Sequence, residues 1–145
     1  MQLSEITHYD IKECAPLYVD AFSEEPWCEK WSERKAFERL RNIVDTPGFI
    51  GLKAKDNDVL VGMLVGNKEA FVPKDTYYLR DICVKSSCKR RGIGRSLIML
   101  LHNILQKEGV GSVYLLSHRC SGREFYIRLG YNPSPLLEVL NNTLD

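Results

Sequence analysis

The sequence predicts an α/β fold, with a mixed central β-sheet carrying helices on both faces. Three observations lead there. The apolar pattern switches repeatedly between a period of two and a period of about 3.6, in the order β-α-α-β-β-β-α-β-α-β. The strand–helix–strand unit at 77–117 calls for parallel pairing through a right-handed crossover. The turn Asp56-Asn57-Asp58 instead joins two neighbouring strands as a hairpin, so the sheet must be mixed. With 145 residues, 44% of them hydrophobic, the chain suffices for one core and reads as a single domain, 1–145.

Residues 1–9 are suited to an edge strand. Asp10-Ile11-Lys12-Glu13 has the form of a capping box, and Ile11, Cys14, Ala15, Tyr18, Val19 and Phe22 then share one helical face. Pro16 should distort the first turns. After the loop 23–30, Ser32 is a good N-cap with Glu33 in the first turn, and Ala36, Phe37, Leu40, Ile43 and Val44 make the apolar side. Thr46-Pro47-Gly48 stops this helix. Strands are expected at 49–55, 59–66 and 77–84. The next helix buries Ile93, Leu97, Ile98, Leu101, Ile104 and Leu105 and ends at Gly109. Residues 112–117 form an apolar strand expected to be buried on both faces. A short helix at 121–129 is closed by Gly130, and the tail 131–144 is expected to add one or two last strands.

Bulk properties narrow the function. A net charge of +1 argues against broad binding to nucleic acid. No apolar run is long enough to span a bilayer, so no membrane partner is expected. The start of the chain has no basic n-region, and the five cysteines are scattered without a C-x-x-C pair. Free thiols in a reducing cytoplasm follow, with no metal site: His8, His102 and His118 are far apart. The apolar tail around Leu136, Leu137, Val139 and Leu140 either pairs across a homodimer or completes the sheet.

Positive charge is local instead. Lys89, Arg90, Arg91 and Arg95 surround Gly92-Ile93-Gly94, between a strand and a helix. Glycine lets the backbone approach a ligand and take positive φ. The helix that follows aims free N–H groups and its positive dipole end at an anion. This is the chemistry of a diphosphate cradle. A P-loop hydrolase fits poorly, for want of G-K-[ST], and a dinucleotide-binding domain lacks its full G-x-G-x-x-G.

These residues resemble the GNAT acetyltransferases, whose Q/R-x-x-G-x-G/A signature is matched by Lys89-Arg90-Arg91-Gly92-Ile93-Gly94 and whose Y-x-x-x-G-Y/F ending is matched by Tyr126-Ile127-Arg128-Leu129-Gly130-Tyr131. The order of elements agrees over nearly the whole chain. The resemblance implies a GNAT-like domain with a splayed parallel strand pair, acetyl-CoA as cosubstrate, and transfer to a primary amine within a ternary complex. The backbone of Ile82, Cys83 and Val84 would hold the pantetheine arm, and the Ile82 amide would be the oxyanion donor. Tyr126 would face the sulfur. Three positions depart from the pattern: Lys89 opens the signature, Arg119 replaces an Asn, and Arg80 stands where polyamine-type members carry a Glu proposed as base. The Arg80 departure keeps a second reading open, an acetyl-CoA-binding sensor of the same fold without catalysis.

A base must take the ammonium proton, and Asp81, His118 and Tyr78 are the candidates. Alternation places Tyr78, Arg80 and Ile82 on one face and Asp81 on the other, unless a β-bulge of the kind common in this family shifts the register. Asp81 equally suits a structural ion pair, and His118 a solvated loop. Glu24, Glu25 and Glu29 surround Trp27 and Trp31, an acidic aromatic loop that would attract a cationic acceptor: a polyamine, an aminoglycoside or a lysine-like amine. The same loop could be solvated with one anchoring Trp. Arg119 and Arg123 either reach cofactor phosphates or lie in solvent. Cys83 and Cys120 fall near the expected cleft, without a His at nucleophile spacing.

Overall fold

The computed structural model describes residues 1–119 and 121–144. Its strands are β1 (Gln2–Glu5), β2 (Phe49–Asp56), β3 (Val59–Glu69), β4 (Thr76–Val84) and β5 (Ser112–Leu115), and its α-helices are α1 (Ile11–Ser23), α2 (Glu33–Val44), α3 (Ile93–Lys107) and α4 (Arg123–Arg128). The strands lie side by side in sequence order, antiparallel except for the parallel pair β4–β5. Helices cover both faces, as the sequence predicts. On one face α1 and α2 pack through Cys14, Tyr18, Leu40 and Ile43 onto Met63, Val65 and Cys83. On the other α3 packs through Leu97, Ile98 and Leu101 onto Leu52, Leu64, Tyr77 and Leu79. Each fully buried Leu or Ile contributes roughly 1.5–3 kcal/mol. Among the described residues, no helix is long and apolar enough to cross a membrane.

The β2–β3 hairpin turns on Asn57 and Asp58, both at positive φ, which matches the twist of the strands it joins. Ser32 caps α2 by accepting from the Lys35 amide at 3.0 Å. The first capping box differs from expectation. It is formed by Thr7 and Asp10, which close a single 3₁₀ turn three residues before the expected box. The Asp10 carboxylate already accepts from the Thr7 amide at 2.8 Å and from the Lys53 ammonium, so it does not cap α1. Pro16 lies inside α1, and the helix nevertheless runs unbroken to Ser23.

Strand β5 ends two residues early and is only half-buried, not covered on both faces. The cause lies in the tail: residues 131–144 form no strand, so β5 is a sheet edge among the described residues. Its neighbourhood is fastened from another direction. Tyr131, just beyond α4, shares a 2.7 Å hydrogen bond with His102 Nε2 of α3. Burial lowers the His102 pKa from its ordinary value of 6.5. Folding therefore favours the neutral imidazole. Its stabilisation is present above that ordinary value and is lost as pH falls through the lower folded value. An NMR titration of His102 should give a midpoint below 6.5; a midpoint at or above it would refute this.

Candidate active site

The pairing of β4 with β5 covers only Thr76↔Ser112 to Leu79↔Leu115, while β4 continues to Val84. The Lys85 amide donates to the Val61 carbonyl at 2.8 Å. Alternation along an antiparallel strand then turns the Cys83 amide toward β3, and the Ile82 and Val84 amides toward the side that β5 has left. A cleft of about 970 Å³ opens there, between the end of β4, the start of α3, α4 and the loop after α1.

The rim of this cleft at α3 is a cradle. Gly92 is the N-cap, at φ +77°, a conformation that costs other L-residues roughly 1–2 kcal/mol. It brings no capping side chain, and the first intrahelical bond runs from the Ser96 amide to the Gly92 carbonyl at 3.0 Å. The amides of Ile93, Gly94 and Arg95 are thus left without intrahelical acceptors, at the positive end of a 15-residue helix. A Cβ on Gly94 would lie 3.3 Å from the Phe125 ring, so any larger side chain must push into the cleft. Arg90 also sits at positive φ, +67°. Lys89, Arg90, Gly92, Ile93, Gly94 and Arg95 all line the cleft. Arg91 does not: its guanidinium turns to Asp56 at the end of β2, 4.0 Å away. Two contacts tie the loop to the end of α1, Lys89 to Glu24 at 3.0 Å and Ser86 to Asp20 at 3.1 Å. Amides without intrahelical acceptors, an absent Cβ and three cations suit a diphosphate.

A bulge sets the chemistry of β4. Val65 pairs with Asp81 and Gly66 with Leu79, so Arg80 is the extra residue. The face order therefore changes at Arg80. Tyr77 and Leu79 belong to the α3 side, yet Asp81 and Cys83 face α1 and α2, and Ile82 joins the α3 side. This corrects the simple alternation, which kept Ile82 with Tyr78 and Arg80. Asp81 Oδ2 accepts from the Tyr18 hydroxyl at 3.2 Å and from Arg39 Nε at 2.9 Å. Burial pushes the Asp81 carboxyl up from its ordinary value, and the Arg39 and Tyr18 contacts pull against this without cancelling it. Tyr18 and Arg39 were invisible in the sequence as site residues. The only available signal was indirect: a buried strand carboxylate needs a cation, and Arg39 lies on the same helix as the core residues Ala36, Leu40 and Ile43.

The other expected residues distribute as follows. Tyr126 on α4 lines the cleft, half-buried, with its hydroxyl unpaired among the described residues. Burial pushes its phenol up to about 12. His118 follows β5 at the cleft mouth. Trp27 lines the cleft with its ring edge-on to Phe22, and Glu29 lines it while accepting from Trp31 Nε1 at 2.8 Å. Glu25 does not reach the cleft; it stands exposed in the turn after α1. Tyr78 stacks on Tyr114 across the parallel pair, with centroids 4.7 Å apart, and the Arg80 guanidinium lies 5.0 Å from the Tyr78 ring centre. Cys83 is buried, which pushes its thiol pKa well up and makes it a poor nucleophile. Cys120 lies outside the described residues.

The same architecture recurs in solved structures. A possible acetyltransferase from Clostridium difficile 630 superposes with a TM-score of 0.83 at 13% identity, over 99% of this chain and 98% of that one. The ribosomal-protein-alanine N-acetyltransferase from Brucella melitensis biovar Abortus 2308 gives 0.79 at 16% identity, over 99% and 100%. An aminoglycoside acetyltransferase from an uncultured soil metagenomic sample, in complex with sisomicin, gives 0.71 at 16% identity, over 99% and 95%. No curated protein matches the sequence significantly. The model of the acetyltransferase (GNAT) family matches residues 11–131, which span the cradle, the bulged strand and Tyr126 alike; the chain belongs to the GNAT acetyltransferases.

Proposed function

We propose that residues 1–145 act as one acetyl-CoA-dependent N-acetyltransferase domain that modifies a small primary amine. One juxtaposition carries the reading: the open-side amides of Ile82 and Val84 face the same cleft as the amides of Ile93, Gly94 and Arg95. The first pair is placed to hold an extended arm like an added strand. The second set is placed to hold a diphosphate, with Lys89, Arg90 and Arg95 as counter-charge. Acetyl-CoA, when bound, supplies the activated acyl group.

This chain's residues then have distinct tasks. The amine enters as a cation past Trp27 and Glu29 and gives up a proton before its nitrogen attacks the thioester carbon. Asp81, fixed by Arg39 and Tyr18, holds the ammonium in place, and His118 at the mouth passes the proton to solvent. The Ile82 amide donates to the carbonyl oxygen as charge develops there, a contribution of roughly 3 kcal/mol for one such donor. As the carbon–sulfur bond breaks, the nitrogen sheds its second proton toward the departing thiolate, and the Tyr126 hydroxyl donates a hydrogen bond to that sulfur.

Calorimetric titration with acetyl-CoA, together with thiol release on a panel of amines, tests this reading. Binding and amine-dependent thiol release are expected. Gly94→Leu should weaken acetyl-CoA binding by about a hundredfold, because the new side chain occupies the cleft while the helix gains propensity. Binding without turnover on any amine would favour the sensor reading. An absence of binding heat would remove both.

A further inference from the structure

This inference rests on the transferase reading and concerns the class of acceptor. Arg80, the bulged residue of β4, has a buried Nε with no hydrogen-bond partner. Its guanidinium lies against the Tyr78 ring; Asp81, which Arg39 and Tyr18 hold, feels its charge, but no ion pair or hydrogen bond among the described residues joins the two. The other cations that line the side pocket are engaged: Arg39 with Asp81 and Lys35 with Glu38 at 3.4 Å. Arg80, Arg39 and Trp31 line the main cleft and also a side pocket of about 320 Å³ between α2 and β4, whose far wall includes Lys35, Glu38 and Asn42. A pocket wall that carries a partly desolvated guanidinium with an unsatisfied Nε–H favours an anion. A guanidinium edge offers two parallel N–H donors, matched to the two oxygens of a carboxylate.

We propose that the side pocket receives a carboxylate of the acceptor, so that the acceptor carries an amine at one end and a carboxylate at the other. Of the polyamine, aminoglycoside and lysine-like acceptors that the acidic loop suggests, only the lysine-like class meets both ends. Its ammonium lies toward Asp81 and Glu29, and its carboxylate toward Arg80. A polyamine or aminoglycoside would set positive charge against Arg80, whose Nε is buried.

Matched pairs decide the matter. Thiol release from acetyl-CoA is measured with lysine against cadaverine, and with ε-aminocaproate against its amide. Each acid should exceed its counterpart by about tenfold or more in kcat/KM, the ratio expected for a charge-assisted hydrogen bond. Arg80→Gln should erase that preference through the acceptor KM, and Arg80→Lys should restore part of it, which a loss of folding could not do. Equal use of both members of each pair, or a preference that survives Arg80→Gln, overturns the proposal. If no amine releases thiol, the transferase reading fails and the pocket is judged by binding alone. Titrating ε-acetamidocaproate into ¹⁵N-labelled protein should then shift the Arg80 Nε–H resonance saturably, and the neutral amide should not. No shift with the acid also overturns the proposal.

Discussion

Replacing Gly66 with alanine is expected to destabilise the fold by about 3 kcal/mol or more, at the upper end for overpacking, because the obstacle is main chain. A Cβ there would lie 2.2 Å from the Tyr78 carbonyl oxygen and 2.6 Å from the Tyr77 hydroxyl. Neither can retreat cheaply. The Tyr77 ring is fully buried and its hydroxyl donates to the Ile50 carbonyl at 2.7 Å, which holds β4 against β2 across the intervening strand. The position matters for function as well as stability, because Gly66 lies opposite the bulge at Arg80. Pushing β4 away there disturbs the register that turns Asp81 toward Tyr18 and Arg39. Urea unfolding of the variant should show a midpoint far below that of the parent, with the remaining folded protein impaired in turnover. A change under about 1 kcal/mol would mean that the strand pair gives way freely, and the account of the bulge would be wrong.

Tyr126→Phe is expected to lower kcat by about a hundredfold, within the range for removing one group that stabilises developing charge. The KM for acetyl-CoA should change little. With the phenol at about 12, the hydroxyl is protonated under any practical assay condition. Complete proton transfer to a departing thiolate of pKa near 8.5 would then be uphill by about 5 kcal/mol, so a hydrogen bond is the more economical role. Two consequences distinguish this role from general acid catalysis. The pH–rate profile should keep its shape in the variant, since no limb belongs to Tyr126. An acyl donor with a more acidic thiol should lose less on substitution. A variant within threefold of the parent would remove Tyr126 from the chemistry and leave it as a core aromatic packed on Phe125 and Tyr131.

Much of this molecule was legible residue by residue. Helices α2 and α3 lie where their apolar spacing and caps put them, since an amphipathic period and a Ser or Gly at the boundary act through local sterics and hydrogen bonding. Gly92 could be read the same way: a positive φ before a helix is a property of the residue itself. The capping box at Thr7 was harder to place, because Thr7 and Asp10 compete locally with Asp10 and Glu13, and the nearby Lys53 of β2 decides for the former. The tail failed for a related reason. Apolar residues at 136–140 suit a strand by pattern alone, yet residues 132–144 stand exposed and leave the β5 edge uncovered, so pattern without burial did not make one.

The sequence by itself determined the order of elements as far as α4, the glycine cradle and the aromatic and basic residues that would serve it, because each follows from interactions within a few positions along the chain. Only the tertiary structure decided which way Asp81 faces, that Tyr18 and Arg39 hold it, that the Arg80 Nε is buried without a hydrogen-bond partner, and that Arg91 and Glu25 stand outside the cleft. The physical reason is the bulge. A single extra residue in β4 reverses the side-chain alternation, and what admits it is the missing Cβ of Gly66 on the neighbouring strand.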